Sequence, residues 1–371
     1  MTTSIDVGPA RVDRSDQAWE VLLAIASFRA RSDGHDRVQA LLATPSFDFE
    51  ELIGKAMRHR MLAALANFLE VHNLREAVPH RLLRQLDVQR NVGRHRAALL
   101  TEEARRIGAA LRDADVTGAW TKGVVAHHAL YGRSGARIFD DIDLMIHPRH
   151  REAVDEVLTT ACGYSRNSSY DVPSGTLVPR SKAALRVYRL SPDHLPHYRR
   201  LNSDPVLPCI SVDVANSLTW HTSSWQLSME DVFAELRSVE TGPGAHLDAL
   251  MPHYAFLFTC LHLFREGWLT RGSSTKQLAL SQFGDVVTEW HQLRPAERTA
   301  VHHLIKRFGL AQPMAWVVAH TDALFGSGIT AELDLESEAT SDWLATSMAP
   351  DNAADSLPDT MGQRLRRPLR L

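Results

Sequence analysis

The stretch Arg137-Ile-Phe-Asp-Asp-Ile-Asp-Leu-Met-Ile146 decides how the rest of the chain reads. Its apolar residues alternate, and side chains along an extended strand point to opposite faces in turn. Ile142, Leu144 and Ile146 therefore share one face, suited to packing beneath a layer of helix. Asp141 and Asp143 share the other, roughly 7 Å apart at their Cα atoms. Two bare carboxylates on a core strand repel each other and are costly to desolvate. Bound divalent cations remove that cost, and magnesium takes one or two carboxylates together with substrate phosphates. Asp-x-Asp by itself is a weak signal. A second one, Asp113-x-Asp115, lies at a helix end without an apolar frame and is given no role. The bland alternative for Asp141 and Asp143 is an edge strand whose polar residues face solvent.

Downstream, Cys209-Ile-Ser-Val-Asp-Val-Ala215 repeats the anomaly. Ile210, Val212 and Val214 form one face, and Asp213 lies on the other. A third carboxylate on a neighbouring strand completes a two-metal site, with ions about 3.5–4 Å apart. The alternative is a strand-end acid bonded to a turn. Upstream, Val116 to Trp120 is a strand candidate, followed by Lys122-Gly123 and a short helical run to Tyr131. A glycine there lets backbone N–H groups approach a phosphate, and Lys122 adds a point charge. Turn geometry alone also explains such a glycine. Arg133 and Arg137 stand between this turn and the acidic strand. Either can hold phosphate oxygens bidentately, or be ordinary surface arginine. A helix from Pro148 to Cys162-Gly163 and a strand over Ala184–Leu190 complete an α/β unit at 113–227.

Helical patterns flank this unit. Residues 15–112 carry Ser15 as a cap, the capping box Asp48-x-x-Glu51, and a helix begun by Pro79 and running towards Leu111. Residues 228–335 read as helical again, with Gly242-Pro-Gly244 as a linker and Arg271–Thr275 as a loop. The expected fold is α/β (α+β), a small mixed-sheet core between N- and C-terminal helical domains. Residues 1–14 read as a flexible leader and 336–371 as a polar, disordered tail. On the His253–Trp268 helix, His262 and Arg265 share a face, with Asp285 on the next helix. These three are candidates for contacting a base or an acceptor. Satisfied groups at a helix interface are the alternative.

With 371 residues and a net charge of −3, the chain has no global attraction for nucleic acid or anionic lipid. Three scattered cysteines exclude a disulfide framework and a cysteine-rich zinc site. No apolar run reaches the roughly 18–20 residues that span a bilayer, and the N-terminus lacks an apolar signal core. A cytoplasmic protein without membrane partners is expected.

Taken together, Lys122-Gly123, Tyr131, Arg137, Asp141-Ile-Asp143-Leu, Gly163-Tyr164 and Val212-Asp213 resemble the DNA polymerase β-like nucleotidyltransferase superfamily. More closely, they resemble a bacterial family of uncharacterised nucleotidyltransferases found beside natural-product clusters. The resemblance covers 115–220 and extends loosely to Leu257–Asp285. It implies that Asp141 and Asp143 bind two magnesium ions, with manganese as a substitute. It implies that Asp213 binds the catalytic ion and accepts the acceptor's proton, while Lys122, Gly123 and Arg137 cradle phosphates. The reaction implied is attack on the α-phosphate of a nucleoside triphosphate, ATP first among them, moving AMP to a small-molecule or peptide acceptor. The alternatives are a toxin-like enzyme modifying tRNA or protein, and a non-catalytic nucleotide-binding relative. Lys122-Gly123 replaces the superfamily's Gly-Ser. Ala215-Asn216 stands where close relatives carry His then Trp, with His221, His127 or His128 as substitutes.

Overall fold

The alternating stretches assemble into one seven-stranded mixed sheet. The structure is a computed structural model and describes residues 14–27, 34–181, 193–221, 223–269, 278–348, 354–356 and 359–366. Its strands are Gly118–Thr121 (β1), Ile142–Ile146 (β2), Ser165–Arg166 (β3), Ser168–Asp171 (β4), Thr176–Pro179 (β5), Tyr198–Leu201 (β6), Cys209–Ala215 (β7), Leu236–Gly242 (β8) and Ala245–Leu250 (β9). The sheet runs β3-β6-β7-β2-β1-β9-β8, and β4 with β5 forms a separate hairpin. At its centre β2 runs parallel to β7 and antiparallel to β1.

Period-two alternation gives the sheet two apolar faces. Ile142, Leu144, Ile146, Ile210, Val212 and Val214 pack against one side of the long helix His80–Asp113. That helix supplies Ala97, Leu100, Ala104, Ile107 and Leu111, spaced three and four apart. Met145, Ala119 and Ala215 point the other way, into a second core built of helices. Helices from both ends of the chain share that core, among them Arg14–Ser27, Pro252–Phe264, Leu280–Gln292 and Ala311–Phe325. The expected separate helical flanks are thus packed together. Gly284 shows how tightly: a Cβ there would lie 2.8 Å from the Ala26 carbonyl oxygen.

Four expectations are corrected. The acidic strand begins at Ile142, not Arg137. Its last rung with β1 is Thr121↔Asp143, because β1 ends there and turns into the helix Lys122–Ala129. The segment 228–335 opens on the short helix Met229–Phe233, but the stretch that follows is not helical: β8 and β9 form a hairpin, and Gly242-Pro-Gly244 is its turn, with Gly244 in the left-handed region. Val239, Leu247 and Ala249 are its buried, alternating residues. The segment beyond 335 is not uniformly disordered. Thr346–Met348 pairs with Ala354–Ser356, and Met361 and Leu365 are buried on the helix Met361–Arg366. Its few apolar residues suffice to dock it on the helical core. The hairpin of β4 and β5 has no counterpart in the expected core. The strand expected over 184–190 and the loop at 271–275 lie outside the described residues.

Candidate active site

The register of β2 against β7 pairs Asp143 with Asp213, so the two carboxylates stand side by side on parallel strands. Alternation puts them on the face that carries Met145 and Ala215, towards the helical core. Asp141 joins them from the residue before β2. All three line a cleft of about 310 Å³ between the sheet and the helices Pro252–Phe264 and Leu280–Gln292.

Lys122 answers this charge. Its Nζ donates to Asp143 Oδ1 at 2.8 Å and lies 5.1 Å from the centre of the Phe258 ring. Burial lowers its pKa, but Asp143, Asp213 and Asp141 outweigh burial and raise it. Lys122 takes φ +46°, a left-handed conformation costing a non-glycine residue about 1–3 kcal/mol. Strain of this size, held at the junction of strand and helix, places the ammonium among the carboxylates. Gly123 is required by packing, since a Cβ there would lie 2.6 Å from the Cβ of Phe139.

One ammonium does not balance three acids. Burial, then Asp143, pushes the Asp141 carboxyl up to about 7 despite Lys122. Burial also acts to raise Asp213, yet His194, His197 and Lys122 together hold it far below the usual carboxylate range. Asp213 Oδ1 is buried and accepts no hydrogen bond, with His194 Nδ1 3.4 Å away. Among the described residues no three acid, histidine or cysteine side chains form a ready-made metal-binding group. The donor set is nonetheless all carboxylate oxygen, the hard chemistry that magnesium takes.

Sequence reasoning missed His194 and His197. The segment ahead of β6 pairs with the end of β7: Leu195 N donates to Val214 O at 2.9 Å, and His194 bridges to Ala215. This sets His194 beside Asp213, and His197 lines the cleft. Arg265 Nη1 lies 2.9 Å from His194 Nε2 and 3.3 Å from Asp193 Oδ2. An arginine only donates, so Nε2 accepts and Nδ1 carries the proton that faces Asp213. Two histidines three apart, just ahead of the strand that precedes β7, were the available signal. The histidines weighed earlier lie elsewhere. His221 is exposed, with its backbone N donating to Asp193 Oδ1. His127 packs near Phe139, and His128 bonds Thr101.

The other candidates separate. Arg137 lines the cleft, and its guanidinium pairs with Asp285 at 2.8 Å. Asp285 also accepts from the Tyr131 hydroxyl at 2.7 Å, so it orients Arg137 and is already engaged. His262 lines the cleft, 3.4 Å from Glu266, and burial and Lys122 lower its pKa. Arg265 reaches the site only through His194. Arg133 is not brought in: it takes a left-handed turn position, is exposed, and pairs with Glu240 on β8.

Oxygen donors on a mixed sheet, faced by a lysine and a positioned arginine, have the make-up of a phosphoryl-transfer site. The chain belongs to the uncharacterised nucleotidyltransferase family, whose family model matches residues 45–326. It is therefore a transferase with a nucleotide substrate. No curated protein and no solved structure matches it. Among the described residues no helix is long and apolar enough to cross a membrane.

Proposed function

We propose that the chain is a magnesium-dependent nucleotidyltransferase that moves AMP from ATP onto a small-molecule or peptide acceptor. The observation that carries this reading is the in-register pair Asp143 and Asp213, joined by Asp141 in one cleft. Asp141, Asp143 and Asp213 would hold the metal, which when bound neutralises charge on the phosphates and on the leaving pyrophosphate.

The chain's own groups divide the remaining work. Arg137, held by Asp285 and Tyr131, presents a fixed guanidinium to phosphate oxygens. Lys122 carries a positive charge that can pass from Asp143 to an incoming phosphate. Asp213 stays ionised at any working pH, which suits a ligand and makes it a poor store for the acceptor's proton. His197 lies near it in the cleft, and burial lowers its pKa although Asp213 acts to raise it, so it is the better proton acceptor. Most of the rate would come from positioning and charge neutralisation.

The test is pyrophosphate release and thermal shift with ATP, GTP, CTP and UTP, with and without magnesium, for wild type and Asp143→Asn. A magnesium-dependent shift with ATP, lost in the variant, is expected. A shift with another nucleotide would correct the donor. No shift with any of the four would overturn the reading.

A further inference from the structure

A second cavity, of about 240 Å³, adjoins the carboxylate cleft. The two share Lys122, Ala126, Thr259 and Glu289 in their walls. Apolar and polar surface share the second chamber about equally, and Val125, Leu130, Leu250, Phe258 and Leu293 supply the apolar part. Arg237 enters it from β8. Among the described residues Arg237 makes no hydrogen bond or ion pair, and its Nε is buried without a partner.

The other charges around the chamber are matched. Lys122 is bonded to Asp143 at 2.8 Å, and Arg294 to Glu297 at 2.7 Å. Glu289 accepts from the Thr259 hydroxyl at 3.1 Å. Burial, then Asp285, pushes the Glu289 carboxyl up to about 8, so it is mostly protonated and uncharged at neutral pH. The guanidinium of Arg237 thus has the Glu289 and Glu297 carboxyls near it but is bonded to neither, and Glu297 is already engaged by Arg294. A half-buried cation without a bonded partner is costly, and a planar guanidinium is built to take a carboxylate with two parallel bonds. A nucleobase brings no such charge, and the phosphate-binding side of the site lies at Lys122 and Arg137.

We infer that this chamber binds a small carboxylic acid with an apolar body. The carboxylate meets Arg237, and the body lies against Val125, Leu130, Phe258 and Leu293. That this ligand is the acceptor, held against the Lys122 wall, rests on the nucleotidyl-transfer reading above. The binding itself does not.

The test is calorimetric titration of the full chain, free of nucleotide and metal, with octanoate, octanamide and 1-octanol. Octanoate should bind at least tenfold more tightly than either neutral analogue. Arg237→Gln should remove that preference, and Ala255→Phe, which fills the chamber from its wall, should weaken all three. Should Arg237→Gln fail to fold, the acid-against-amide comparison and Ala255→Phe still decide. Equal binding of acid and amide, no binding of octanoate, or full binding by Arg237→Gln would overturn the inference. Displacement of octanoate by ATP would assign the chamber to the nucleotide and overturn it as well. Octanoate binding without any magnesium-dependent nucleotide binding would leave the chamber standing and overturn only its role in transfer.

Discussion

Two clusters of buried charge flank the same sheet and are put together in opposite ways. On the long-helix side, Glu103 accepts from Arg106 at 2.6 Å, Arg200 at 2.7 Å and the Tyr164 hydroxyl at 2.7 Å. Burial raises its pKa, but Arg106, Tyr164 and Arg200 outweigh burial and lower it. On the other side three carboxylates face one ammonium, Asp141 is pushed up to about 7, and Asp213 Oδ1 has no hydrogen bond. The residue types are alike. The cluster whose acid is fully bonded has little to gain from a ligand and holds the fold. The unbalanced one is stabilised by whatever positive charge arrives, which is how a perturbed acidic cluster in a cleft marks a functional site.

Charge removal should therefore have opposite consequences on the two sides. Asp143→Asn is expected to reduce pyrophosphate release by roughly a thousandfold, about 4 kcal/mol in the barrier, since the conversion is 1.36 kcal/mol per decade. Its melting temperature should stay within a few degrees of wild type, because one of three mutually repelling acids is gone. Steady-state kinetics beside a thermal melt reads both. Retention of more than a tenth of the activity would mean that Asp143 serves only Lys122.

Glu103→Gln reverses the pattern. Breaking a buried ion pair costs about 3–5 kcal/mol, and the partial exposure of Arg106 and Arg200 brings the expected loss to about 2 kcal/mol. Urea unfolding measures it, while turnover per folded molecule should remain within about twofold. A variant of unchanged stability but impaired turnover would erase the distinction between the two clusters.

Asp285 lies between these extremes, since it is a satisfied acid whose partner Arg137 faces the cleft. Asp285→Asn should raise KM for the nucleotide about tenfold through a loosened Arg137, with a smaller change in kcat. An unchanged KM would reduce the Tyr131–Asp285–Arg137 triad to a structural brace.

The central strands were legible because period two is a local property. Asp143 and Asp213 each stood opposite an apolar face within a few residues, and their pairing needed only that the two strands be neighbours. The hairpin of β8 and β9 was missed because two of its alternating buried positions are the polar Thr241 and the small Ala249, and its Gly-Pro-Gly turn also reads as a linker. The union of the helical flanks was invisible for another reason: a contact such as Gly284 on Ala26 spans most of the chain, and no periodicity encodes it. His194 and His197 fell between, since a loop position has no period and only its pairing with β7 brings it to Asp213. Arg133 misled for the same reason. Its nearness to Arg137 in sequence says nothing of direction after two left-handed residues, Gly132 and Arg133.

The smallest effect sharpens the comparison most, because it isolates the imbalance itself. With Asp141 at about 7 in the folded chain and about 3.9 unfolded, the native state binds a proton that the unfolded state lacks between those values. Stability from this group is fully present below about pH 4 and is lost as pH rises towards 7. The buried histidines His59, His127, His128 and His320, each lowered to about 4 first by burial, act in the opposite sense over nearly the same window. A wild-type melting curve therefore mixes the two. The difference between Asp141→Asn and wild type cancels the histidines, which both proteins share. That difference should grow by a few degrees in the variant's favour from pH 4 to 7 and level off above pH 8. Saturating magnesium at pH 8 should shrink it, because the cation relieves in wild type the repulsion that the substitution removes. A difference flat from pH 4 to 8 would mean that Lys122 alone balances the three acids, and the contrast with Glu103 would then be one of position, not of charge.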